Sequence, residues 1–119
     1  MNRDEFLKPR ELKTKTVAID GIGDVTIRQL SKSELCEYQK WLRPKGTLSD
    51  ANYAKRDLML VCMAVVDDQG NRILTIDDMD AVGNMPGAAI DELTYEVMVV
   101  NGYMAEVSDE LELLGKSDS

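Results

Sequence analysis

The sequence predicts an α+β fold, mainly α, in a single small domain: an N-terminal β-hairpin followed by four to five helices. Three observations carry that expectation. Alternating apolar residues flank a glycine-rich turn at Gly21–Gly23. A Ser-x-x-Glu box at Ser31–Glu34 starts a helical pattern. A long helix-favouring stretch then begins at Ser49 and runs into the apolar segment Leu58–Val66.

The hairpin comes first. Val17 and Ile19 alternate with Thr16, Ala18 and Asp20, and Val25 and Ile27 alternate with Thr26 and Arg28. Period-two patterning on both sides of Gly21-Ile22-Gly23-Asp24 places Val17, Ile19, Val25 and Ile27 on one buried face. After the Ser31–Glu34 box, a helix is expected through about Leu42, with Leu35, Tyr38, Trp41 and Leu42 as its apolar stripe. Arg43-Pro44-Lys45-Gly46 ends it.

Ser49 or Asp50 then caps the central helix. Val61, Val65 and Val66 are β-branched, so the apolar run could also be a buried strand. Nothing between Asp50 and Val66 breaks a helix, and that length favours one continuous helix. Asp67-Asp68-Gln69-Gly70-Asn71 stops it, and Arg72-Ile73-Leu74 returns as an extended arm. Thr75, with Asp78 three residues on, restarts a short helix over about Ile76–Val82, ended by Gly83-Asn84. Pro86 suits the first turn of the next helix, whose apolar face holds Ala89, Ile90, Leu93, Val97, Met98 and Val100. Asn101-Gly102 is a left-handed cap signal.

The expected organisation is a flexible arm at 1–13, one domain at 14–105 and an acidic amphipathic segment with a tail at 106–119. Phe6 and Leu7 are an isolated apolar pair in the arm. Met104, Val107, Leu111 and Leu114 share one helical face, which suits packing back on the chain's own domain or docking on a partner equally, and they are the candidate protein-binding residues.

A chain of 119 residues can bury a core without staples. It has no 18-residue apolar stretch and no signal-peptide apolar region, so no membrane span is expected and a cytosolic setting is. Cys36 and Cys62 show no metal-ligand spacing and read as buried free thiols in a reducing compartment. Residues 1–45 carry ten Lys/Arg and seven Asp/Glu, a net +3, whereas residues 46–119 carry four and fifteen, a net −11. An acidic body argues against phosphate-driven nucleic-acid binding, while the uneven split suits two solvated faces first and attraction between copies second.

The chain contains no histidine, which removes Ser-His-Asp and Cys-His catalysis and most zinc sites. Asp67–Asp78 has the length of a calcium loop, but position 6 is Arg72 rather than glycine and position 12 is Asp78 rather than Glu. Gly21-Ile22-Gly23 lacks the third glycine of a dinucleotide fingerprint. No catalytic, metal or cofactor site is expected. Seven methionines, among them Met59, Met63, Met98 and Met104 on apolar faces, suit either core filling or adaptable protein contacts.

In order, Val25-Thr26-Ile27-Arg28-Gln29-Leu30, Asp67–Leu74, Asp77–Gly83 and Asn101-Gly102 resemble the tail assembly chaperones of long-tailed bacteriophages and related prophages. The resemblance spans about residues 14–114 and leaves the arm at 1–13 without a counterpart. It implies a minor tail assembly protein that is not an enzyme and works in the host cell cytoplasm. Such a protein binds the phage tape measure protein, keeps it soluble, helps recruit the tail tube protein and is absent from the mature virion. Many members are also made in a longer, frameshifted form. A homo-oligomer is a further expectation. The alternative is a phage or bacterial structural or adaptor protein that remains in the assembled particle.

Overall fold

A computed structural model describes residues 1–103, and its hairpin follows the sequence pattern. Strands β1 (Thr14–Ile19) and β2 (Gly23–Arg28) pair antiparallel with Val17 opposite Val25 and Lys15 opposite Ile27. That register puts Val17, Ile19 and Ile27 in the core and leaves Val25 half-buried against it. The connecting turn needs positive φ at Gly21 (87°) and Gly23 (113°), which a side chain at either position would oppose.

Ahead of the hairpin, Arg3–Leu7 form a short helix, α1, with no buried residue. After it, helix α2 (Lys32–Leu42) begins with the expected reciprocal cap. The Glu34 amide donates to Ser31 Oγ at 3.2 Å, and the Ser31 amide donates to Glu34 Oε1 at 2.9 Å. Leu42 is buried, Leu35, Tyr38 and Trp41 lean on the core, and the Tyr38 and Trp41 rings stack with centroids 6.3 Å apart.

The continuous helix expected over Asp50–Val66 is corrected in two places. It divides at Lys55 into α3 (Asp50–Ala54) and α4 (Arg56–Ala64). At the break, the Arg56 guanidinium lies 4.1 Å from the Tyr53 ring centroid and donates to the Tyr53 carbonyl at 2.9 Å. This side chain supplies a partner that regular helix would have taken from a backbone amide. The helix also stops at Ala64, and Val65–Val66 form strand β3. Val65 pairs with Ile27 and Val66 with Thr26, completing a three-stranded antiparallel sheet in the order β1-β2-β3. Both valines are buried and β-branched, and the exposed edge of β2 gives their backbone groups the partners that burial demands.

Asp67 closes the turn that follows. Its Oδ1 accepts the amides of Gln69 (2.8 Å) and Asn71 (3.0 Å), and Gly70 adopts φ 82°. Arg72 then bridges to Val66, so residues 72–74 are the extended arm that the sequence suggests. Thr75 and Asp78 form a second reciprocal cap, leading through the 3-10 turn Ile76–Asp78 into α5 (Met79–Gly83). Helix α6 (Gly87–Val100) follows Pro86 and buries Ala89, Ile90, Leu93, Thr94 and Val97. The buried faces of α4 and α6 meet each other, and α6 also meets both long strands.

The Asn101-Gly102 cap forms a Schellman arrangement. Gly102, at φ 81°, donates to the Val99 carbonyl (2.9 Å), and Tyr103 donates to that of Met98 (3.0 Å). Asn101 does a second job, since its Oδ1 accepts the Leu30 amide at 2.9 Å and ties the end of α6 to the segment between β2 and α2.

Candidate functional site

The hairpin turn, β3, the 72–74 arm, α5 and the first half of α6 surround one apolar groove of about 400 Å³. Its floor is Val61, Val65, Val66, Val82 and Leu93, all of them core side chains. Its walls are Val25 of β2, Leu74 of the arm and Ile90 of α6. At its mouth stand Ile22, Ile73 and Met85, three large apolar side chains exposed to solvent, with exposed Ile76 following the arm in sequence. Exposed apolar side chains gathered around a concave apolar surface mark a place where another molecule's apolar groups can be removed from water.

Each rim residue is held there by local chemistry. Ile22 sits between the two positive-φ glycines of the hairpin turn. Ile73 is presented by the arm, whose amide reaches the Val65 carbonyl at 3.4 Å. Met85 follows α5 and donates its amide to the Val82 carbonyl at 3.1 Å. Gly83 allows α5 to come close to α4, since a Cβ there would lie 3.3 Å from Leu58 Cδ1.

Electrostatically, the groove is one-signed. Asp24, Asp68 and Asp78 line it, and among the described residues no lysine or arginine does. Asp78 is anchored by the Thr75 amide at 2.7 Å, so one of these charges is fixed in place. Burial pushes the Cys62 thiol up from its usual range, and the Asp78 charge adds to that, which leaves Cys62 an inert core thiol, whereas Cys36, expected to be buried as well, is exposed on α2.

A polar cluster holds the opposite flank of the hairpin. Arg28 Nη2 lies 2.8 Å from Glu34 Oε2, and the Arg72 guanidinium pairs with the same carboxylate oxygen. Burial opposes ionisation of Glu34, but the Ser31 amide and the two arginines outweigh it and hold the carboxyl below its ordinary value. This cluster joins β2, α2 and the arm that carries Ile73.

The candidate binding residues Met104, Val107, Leu111 and Leu114 lie outside the described residues. No grouping of three or more His, Cys, Asp or Glu suited to a metal ion occurs among the described residues, and no helix among them is long and apolar enough to cross a membrane. The groove itself was not foreseen from sequence. The available signal was a set of isolated large apolar residues, Ile22, Ile73, Ile76 and Met85, each in a polar or glycine-containing linker where a solvated side chain would be expected.

No protein-family model matches this sequence, and no curated protein matches it. Among solved structures, the bacteriophage HK97 tail assembly chaperone has a similar fold: TM-score 0.56, 16% sequence identity, covering 75% of this chain and 85% of that one. At that identity, the likeness is one of fold.

Proposed function

We propose that this chain is a phage tail assembly chaperone, a binding protein rather than an enzyme. It holds the tape measure protein in solution in the host cell cytoplasm, helps recruit tail tube subunits and leaves before the virion is complete. The observation that carries this reading is the fold shared with the HK97 tail assembly chaperone. The groove supports it in kind, because a long apolar helical client needs an apolar surface that opens to solvent and can let go again. The sequence pattern at Met104, Val107, Leu111 and Leu114 suits a second contact with the same client.

Co-expression with the neighbouring tape measure protein tests the proposal. The client is expected to be soluble with the chaperone and to aggregate without it. Replacing Ile73 and Met85 with aspartate is expected to reduce that rescue, as is deletion of residues 106–119. A tape measure protein equally soluble without this chain would refute the role. Mass spectrometry of purified virions that finds the chain at stoichiometric amounts would favour a structural subunit instead.

A further inference from the structure

We propose that the N-terminal arm of one copy docks Phe6 and Leu7 into the apolar groove of a second copy. Phe6 is 65% exposed and Leu7 56%, and helix α1, which carries them, has no buried residue of its own. The helix is nonetheless built: Asn2 Oδ1 accepts the Glu5 amide at 2.8 Å, and the Arg10 guanidinium caps the carbonyls of Phe6 (2.7 Å) and Glu5 (3.2 Å). A capped helix presenting two adjacent large apolar side chains to water is a preformed ligand for an apolar pocket.

The groove is that pocket. Its 400 Å³ has room for a phenylalanine and a leucine side chain, and the described residues leave it open. Charge selects between possible occupants. Among the described residues, the groove presents Asp24, Asp68 and Asp78 and no cation. In the arm, Arg3, Lys8, Arg10 and Lys13 outnumber Asp4, Glu5 and Glu11. The chain's other amphipathic stretch carries Glu106, Asp109, Glu110 and Glu112, which repel a rim of the same sign. The arm and the groove are different patches, so the contact is heterologous and can pass from copy to copy. This inference rests on the chain's own surfaces and not on the tail assembly reading.

Sedimentation of the full chain tests it without any client. An arm variant carries Phe6→Glu and Leu7→Glu, and a groove variant carries Ile73→Glu and Met85→Glu. All four positions are exposed, so both variants are expected to melt like the wild type. The wild type is expected to gain mass with concentration, and less so at high salt. Each variant alone is expected to stay monomeric. Mixed together, they are expected to form a one-to-one pair that grows no further, because one supplies a working arm and the other a working groove. A wild type that is monomeric throughout, variants that associate like the wild type, or a mixture that stays monomeric would each overturn the proposal. A monomeric wild type destabilised by the arm substitutions would place the arm in its own groove.

Discussion

Replacing Glu34 with glutamine should separate the charge at the centre of this fold from its shape. The side chain keeps its length and can still accept the Ser31 amide, but it loses its ion pairs with Arg28 and Arg72. Fully exposed ion pairs contribute about 0.2–1 kcal/mol, and removing one partner of a buried pair costs about 3–5 kcal/mol. The side chains of Glu34, Arg28 and Arg72 are 15%, 18% and 34% exposed, which lies between those limits. A loss of about 2 kcal/mol at neutral pH is therefore expected, read by urea denaturation, with a fall in Tm on the order of 10 °C. The effect should depend on pH. Since the Glu34 carboxyl titrates lower in the folded chain than in the unfolded one, its contribution is complete above the ordinary glutamate range. It is lost as pH falls through the depressed folded value, so the gap between wild type and variant should close in acid. A difference below about 0.5 kcal/mol at neutral pH, typical of unimportant surface changes, would refute the ion-pair argument. So would a gap unchanged by acid.

Two further substitutions probe the backbone of the fold. Leu60→Asp places a lone charge among buried α4 residues, at a cost of several kcal/mol against a total stability of about 5–15 kcal/mol; insoluble or unfolded protein is expected, and a soluble variant with the wild-type Tm would contradict the packing. Gly102→Ala meets open space but must keep φ near 81°, so a loss of about 1–2 kcal/mol in chemical denaturation is expected, and unchanged stability would mean that the cap does not need a left-handed residue.

What could be read from sequence was local. The Ser31–Glu34 and Thr75–Asp78 caps each connect residues three positions apart, and the hairpin needs only a period of two and a turn. Even Asn101-Gly102 announced the end of α6, although the Leu30 amide it captures was hidden by distance along the chain. The failures were non-local or depended on one side chain. Val65 and Val66 suit a buried helix or a buried strand equally well, and the waiting edge of β2 decides the matter. The break at Lys55 coincides with Arg56 folding back on Tyr53, a contact that helix propensity does not register. The groove was illegible for the same reason: its lining comes from segments between Ile22 and Leu93 that share no sequence pattern.

The two-residue strand β3 also sets the order in which the protein can be assembled. β1 and β2 close a small loop through a tight turn, whereas β3 reaches β2 only after α2, α3 and α4 have been laid out. The entropy of closing that long loop must be offset before the pairing contributes anything. Because α4 runs into β3 with no linker, seating the strand seats the helix in the same step. Until Val65 and Val66 have been synthesised, β2 lacks the segment that covers this edge in the folded chain, and an uncovered edge is the kind that strands from other chains can pair with.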